Sequence, residues 1–235
     1  MIKEIITIKS NNDSKNFFLG FDGLHVNLDE IREKHKLSEN SQVVDCLLNL
    51  ITDVNKKYPQ ATLQIFNPEL LLSKDLIIRA FYHAQKAFDA NINISNQKNI
   101  ELLLYLSTTR QISEAINRFG IEINTKKSNS ILELVYFIAN NEDTIEIIKD
   151  ELMKNICTKE GSSIITEISI EKIAKIIDTY GIKTNQIGVV FQSYDIPFKY
   201  ENALEKNNLN DLCNAIQDIL LEKMALLSLE KIASD

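Results

Sequence analysis

The chain has 235 residues, of which 44% are hydrophobic and 25% are charged, and 26 basic against 33 acidic side chains give a net charge of −7. This balance is typical of a folded globular protein, and it excludes gross disorder and a protein that holds nucleic acid by bulk positive charge. No apolar run approaches the roughly 18 residues that span a bilayer, and the first residues lack the layout of a signal peptide, so we expect a cytoplasmic protein with no membrane segment.

The first third of the chain predicts two strands, a helix and a third strand. Loose alternation over 2–9 and an apolar run over 17–21 predict a hairpin. Apolar residues recur at helical spacing over 43–54, and Pro59 closes that stretch. Alternation over 63–65 then predicts a short strand.

The middle of the chain predicts three helices. Ser73 is a suitable N-cap for a helix that extends to residue 90. Residues 98–119 contain two helical segments separated by Ser107-Thr108-Thr109, and Gly120 is suited to end the second one.

The second half of the chain also shows the apolar spacings of strands and helices, and only 185–208 has no clear pattern. Strands and helices do not alternate strictly, so we expect an α+β fold with a small, mostly antiparallel sheet packed against several helices in a single domain over 1–235. The predicted elements are strands at 131–138 and 162–170 and helices at 142–154, 171–179 and 209–224, the last continuing into apolar 225–229.

The residues of common catalytic and metal sites are scarce. Cys46, Cys157 and Cys213 are widely spaced with no CxxC pair, which argues against a disulfide framework or a zinc site. The three histidines form no HExxH motif, and no glycine-rich phosphate loop is present. We therefore expect no catalytic residues, no metal and no cofactor, and a protein that is not an enzyme.

Positive charge is concentrated in one segment. Eight cations against five anions between residues 73 and 127 give a local charge of +3, which leaves −10 for the rest of the chain. Arg79, Arg110 and Arg118 in this segment are three of the four arginines. The planar guanidinium suits phosphate binding and base stacking better than an ammonium does.

One helix face and one helix junction in this segment are candidate anion sites. Arg79, His83 and Lys86 lie at i, i+4 and i+7 with Tyr82 at the edge, so they predict either a small phosphate-binding surface or a solvated helix face. The junction at 108–111 presents backbone amides and hydroxyls beside a cation, and an anion site and a simple helix boundary explain it equally well. Glu114 and Arg118 favour a local i, i+4 ion pair.

Residues 102–121 (LLLYLSTTRQISEAINRFGI) resemble the small kinase-binding subunit of the KEOPS complex, the family that includes the PRPK-binding protein. In that family an apolar helix leads into a Ser-Gly-x-Arg-Gln-Ile junction and a second helix that ends in glycine. Residues 73–88 and 220–229 are similar to the family's preceding helix and C-terminal signature. The chain departs from the pattern at Thr108, and 28–58 and 185–208 are expected to be insertions.

The resemblance implies a non-catalytic subunit of the complex that makes threonylcarbamoyladenosine in tRNA. Such a subunit binds the KEOPS kinase/ATPase subunit, and through it the rest of the complex, and it captures the 3′ CCA end of tRNA. The residues expected to contact tRNA are Arg79, Lys86, Thr109, Arg110 and Gln111.

The C-terminal segment carries more apolar residues than one core face needs, and such a surplus indicates either a partner surface or packing on both sides. On the first interpretation, Leu220, Met224 and Leu227 form the kinase interface. The alternative function is a pure protein–protein adaptor that regulates the kinase without binding RNA, which Thr108 and the net negative charge favour.

Overall fold

A computed structural model describes residues 1–10, 13–123, 131–156, 158–161, 163–196 and 209–232. The chain divides into two compact units, one made of 1–68 and 119–165 and the other of 69–118 and 166–235. Among the described residues, the first unit holds a five-stranded antiparallel sheet, which confirms the predicted α+β class. The single-domain organisation with insertions at 28–58 and 185–208 stays a prediction.

The sheet has the order β1-β2-β4-β3, and β5 pairs with β2. The register of the predicted hairpin places Ile2 opposite Phe21 and Ser10 opposite Asp13, so that prediction is confirmed. The second strand is longer than 17–21 because it pairs with three neighbours. The strands are β1 (Ile2–Ser10), β2 (Asp13–Asn27), β3 (Thr62–Phe66), β4 (Ile131–Asn140) and β5 (Thr158–Glu160).

The helices coincide with most of the helical patterns in the sequence. A 3₁₀ turn at Pro68–Leu70 precedes the third of them. The helices are α1 (Leu28–His35), α2 (Asn40–Lys57), α3 (Lys74–Asp89), α4 (Lys98–Ser107), α5 (Ile112–Phe119), α6 (Ile145–Asn155), α7 (Ser163–Thr166), α8 (Ile170–Thr179), α9 (Thr184–Ser193) and α10 (Leu209–Ile232).

The core of the first unit lies between its sheet and α2. Val43, Leu47, Ile51 and Val54 recur at three- and four-residue intervals and are all buried, because one face of α2 packs against the strands. The segment 28–58 therefore contributes directly to this core.

The regular secondary structure described in the second unit is all helical. Residues 101–107 of α4 are all buried, which matches the continuous apolar run of that helix. Helix α3 buries Ile77, Phe81 and Ala84 on one face, as the spacing predicts, and α10 contacts α3, α4, α8 and α9. The face of α3 opposite these residues remains available to solvent.

One local prediction is wrong, and a second is confirmed only in part. In place of the strand expected at 162–170, the structure has helix α7 and the start of α8. The edge of β2 is already taken there, because β1 pairs with 13–21 and the preceding strand β5 pairs with Leu24–Val26. Ser73 does occupy the N-cap position of α3, but its side chain makes no capping bond, and its buried Oγ has no partner among the described residues. Part of 185–208 forms α9, and 197–208 lie outside the described residues.

Candidate functional site

The exposed face of α3 carries the three residues predicted to form a candidate anion site, Arg79, His83 and Lys86, which we call the stripe. Arg79 and Lys86 are exposed, and His83 between them is half-buried. The Lys86 ammonium lies 5.4 Å from the centre of the Tyr82 ring, a cation–π distance. Within the described part of the chain neither Arg79 nor Lys86 has a salt-bridge partner, so both charges are available to an external anion.

Behind the stripe, His83 is held among aromatic rings and one hydroxyl. Its ring stacks on Tyr105 of α4 with centroids 5.5 Å apart and planes 21° apart, and it meets the edge of Tyr82 at 5.4 Å. The Ser228 Oγ of α10 lies 3.3 Å from His83 Nδ1 and 3.1 Å from the Tyr105 hydroxyl. Three helices thus fix the orientation of this imidazole.

The environment keeps His83 neutral near physiological pH. Burial lowers the pKa of His83, and the positive charges of Arg79 and Lys86 lower it further. Burial raises the pKa of Tyr105, while the hydrogen bond with Ser228 and the charge of Arg110 act against that rise.

The junction between α4 and α5 has a strained residue at its first position. Thr108 has φ 51° and ψ 36°, in the left-handed region that favours glycine. Its N–H donates to Tyr105 O over 3.1 Å, and the Thr109 N–H donates to Leu104 O over 3.1 Å, which satisfies carbonyls at the end of α4. A threonine therefore occupies a position where the backbone geometry calls for glycine.

Arg118 and Tyr180 hold the junction from behind. The Arg118 guanidinium donates to Ser107 O over 2.7 Å, pairs with Glu114, and lies 5.2 Å from the centre of the Tyr180 ring. The Tyr180 hydroxyl donates to Leu106 O over 2.7 Å. The predicted pair of Glu114 and Arg118 is confirmed, and Arg118 also caps the last carbonyl of α4, that of Ser107.

The remaining junction residues divide into one that is bonded internally and two that face outward. The Thr109 hydroxyl donates to Glu114 over 2.9 Å and accepts from the Gln111 N–H over 3.2 Å. The side chain of Gln111 is exposed and that of Arg110 is half-buried. Arg110 has no carboxylate partner among the residues that the structure describes.

We call Arg79, Lys86 and Arg110, together with the neutral His83 between the first two, the cationic patch. Arg79, His83 and Lys86 share one face of α3 beside the Tyr105 ring, whereas Thr109 serves the junction. Reasoning from sequence missed Ser228, whose only signal is a hydroxyl within the apolar run LLSL.

Helix α10 separates its leucines onto different faces. Leu220, Met224 and Leu227 are 1%, 0% and 7% exposed, because they pack within the second unit. Leu226 and Leu229 are 47% and 58% exposed and lie three residues apart, on one side of the helix. We call these two residues the apolar end of α10.

No other chemistry emerges from the described residues. They contain no cluster of histidine, cysteine or acidic side chains that could hold a metal ion, and none of their helices is long and apolar enough to cross a membrane. Cys46 and Cys213 are free thiols, and Cys157 lies outside the described residues.

Comparison with known proteins adds the family. A family described as kinase binding protein CGI-121 matches residues 26–228, whereas no curated protein matches the chain. This match covers most of the chain; it includes α3, the junction, Leu226 and Ser228, and it stops one residue before Leu229. The chain belongs to the CGI-121 family of kinase-binding proteins, the family of the KEOPS kinase-binding subunit.

Proposed function

We propose that this member of the CGI-121 family is a non-catalytic, cytoplasmic subunit of the KEOPS complex, which makes threonylcarbamoyladenosine in tRNA, and that its cationic patch captures the 3′ CCA end of tRNA. Kinase binding is the property of the family. The observation that supports the RNA role is that the exposed Arg79 and Lys86 flank His83 on one face of α3, where the His83 ring stacks on Tyr105.

The chemistry of the patch suits a short single strand better than a duplex. Binding of single-stranded nucleic acid combines cations that follow the phosphates with flat side chains on which bases stack. Three unpaired cations can neutralise about three phosphates, which is too few for a duplex footprint but sufficient for a strand end. Arg110 can also stack its guanidinium plane on a base.

The two other predicted RNA contacts have different roles. The exposed Gln111 amide can donate and accept hydrogen bonds with a base edge, an arrangement that suits adenine. The Thr109 hydroxyl is engaged with Glu114 and the Gln111 N–H, so it orients the residues that follow it. We therefore assign direct contact to Arg79, Lys86, Arg110 and Gln111, and a supporting role to Thr109.

For the kinase, we propose that the docking surface is the apolar end of α10. Leu220, Met224 and Leu227, which the sequence places at this interface, hold the helix against its own unit. They present Leu226 and Leu229 to solvent, and two exposed leucines on one helix face are what a partner would bury.

The RNA role is tested by measuring affinity for intact tRNA and for tRNA lacking its CCA end, at two salt concentrations. We expect trimming to weaken binding about tenfold or more, since each stacked base contributes roughly 1–3 kcal/mol. Combining Lys86→Ala with Arg110→Ala should reduce the logarithmic salt slope by about 1.4, roughly 0.7 for each phosphate contact. Lys56→Ala, which removes an exposed lysine from α2, is the control and should change neither value.

Equal affinity for the two RNAs, or affinity unchanged by the double substitution, would contradict RNA capture. Either result would favour the adaptor that regulates the kinase without RNA, for which the threonine at position 108 is the specific observation.

The docking surface is tested by Leu226→Asp together with Leu229→Asp. Kinase binding should be lost, while Val189→Asp, which charges another exposed apolar residue, should leave it unchanged. Retention of kinase binding in the double variant would move the interface away from α10.

A further inference from the structure

Ser228 is the single described hydroxyl that contacts both rings behind the cationic patch. Its Oγ lies 3.1 Å from the Tyr105 hydroxyl and 3.3 Å from His83 Nδ1. A serine hydroxyl has one donor hydrogen and two acceptor positions, so it can bond to both partners at once. Loss of Ser228 would leave the stacked pair without its bridging hydroxyl.

The same turn of α10 also presents the apolar end. Successive residues on a helix are about 100° apart, so Leu226 and Leu229 point about 60° from each other, whereas Ser228 points about 160° from Leu226 and about 100° from Leu229. One turn thus contacts α3 and α4 through its hydroxyl and exposes two leucines on another side.

The position of this turn makes it sensitive to a bound protein. The outer side of this turn carries Leu226 and Leu229, which are 47% and 58% exposed. A turn with few buried contacts on one side opens locally more easily than a fully packed one. A protein that buries Leu226 and Leu229 would hold this turn helical and so maintain both hydrogen bonds of Ser228.

We propose that Ser228 is a positioning residue that couples kinase docking at the apolar end of α10 to RNA binding at the cationic patch. Docking orders the turn that carries Ser228, and Ser228 then holds His83 and Tyr105 in the stacked arrangement that a base and its phosphate meet. RNA that binds an already ordered patch loses less conformational entropy, so it binds more tightly. This inference rests on the function proposed above.

Thermodynamic linkage makes the proposal reciprocal. If the kinase raises RNA affinity by a given factor, RNA must raise kinase affinity by the same factor.

The experiment measures tRNA affinity of the full chain with and without saturating kinase, for the wild type, Ser228→Ala, Ser228→Thr and Ser193→Ala. We expect the kinase to raise wild-type affinity by about fivefold or more, within the usual range of coupling between sites. Ser228→Ala should bind the kinase but lose this increase, and Ser228→Thr, which keeps the hydroxyl, should retain most of it. Ser193→Ala removes a hydroxyl that bonds only within α9 and should behave as the wild type.

The outcomes separate this inference from the function beneath it. RNA binding that depends on Lys86 and Arg110 but not on the kinase would overturn the coupling alone. A kinase effect that survives in Ser228→Ala would also overturn it. Absence of RNA binding in every state would overturn the proposed function and the coupling together.

Discussion

Thr108 is strained where it ends α4, so its replacement by glycine should stabilise the protein. Its φ of 51° brings the side chain of an L-amino acid close to its own carbonyl, and a β-branched residue is especially poorly suited to this region. The strain persists because the N–H groups of Thr108 and Thr109 satisfy the last carbonyls of α4 only in this conformation.

The expected gain is a balance of two terms. The left-handed conformation costs a non-glycine residue about 1–2 kcal/mol. Glycine relieves this cost, but its more flexible unfolded chain takes back roughly 0.5–1 kcal/mol. Thr108→Gly should therefore raise the free energy of unfolding by about 0.5–1 kcal/mol, which corresponds to about 1–4 °C in Tm for a protein of this size.

Denaturant unfolding of a substitution series at position 108 separates backbone strain from side-chain packing. Alanine keeps the Cβ and should gain little, asparagine tolerates the left-handed region and should gain an intermediate amount, and glycine should gain most. Equal gains for Thr108→Ala and Thr108→Gly would refute the strain argument, because both remove the same methyl and hydroxyl. A loss of stability in Thr108→Gly would show that side-chain contacts outweigh the strain.

Two further predictions concern the supporting residues. Arg118→Ala should lower the free energy of unfolding by about 2–3 kcal/mol, because the Ser107 carbonyl loses a charged hydrogen-bond donor. Arg118→Lys keeps the charge but not the planar guanidinium, so it should restore only part of this free energy. Full restoration by lysine in denaturant unfolding would show that the charge alone is sufficient. The pKa of His83 is lowered on folding, so the unfolded chain binds a proton that the folded chain does not, and stability should fall as the pH is lowered below about 6.5. Measuring the free energy of unfolding against pH for the wild type and for His83→Gln isolates the contribution of this residue. For one proton, the slope cannot exceed roughly 1.4 kcal/mol per pH unit. Identical pH dependence in the two proteins would contradict the assignment.

The long periodic elements of the fold could be predicted because one face of each is buried. Val43, Leu47 and Ile51 repeat at the helical period, and the structure buries all three against the sheet. The failure at 162–170 has a different cause. Adjacent isoleucines such as Ile164 and Ile165 suit a strand or a helical turn equally well, and the outcome depends on how much of the β2 edge is left for pairing, which only the assembled sheet decides.

For the site, local spacing was sufficient and distant contacts were not. Arg79, His83 and Lys86 follow from the period of one helix, whereas the contact of Tyr105 with Ser228 joins residues 123 positions apart. The leucine surplus of α10 was visible in composition, but which leucines face outward depends on the helices that pack against it. Leu226 and Leu229 are the leucines that remain exposed, and periodicity alone does not distinguish them from the buried ones.

The distribution of charge also constrains how this acidic chain would hold RNA. A net charge of −7 repels RNA at long range, and this repulsion is screened beyond about 8 Å at physiological ionic strength. On the proposed function, attraction comes from the three cations of the patch and acts at contact distance. Added salt weakens those contacts but also relieves the repulsion, so the salt slope for tRNA should be no steeper than about −2, the value for three single-strand phosphates. Electrostatic steering then contributes little to encounter, and selection of the strand end depends on the stacked rings and on the geometry that Ser228 and the junction maintain.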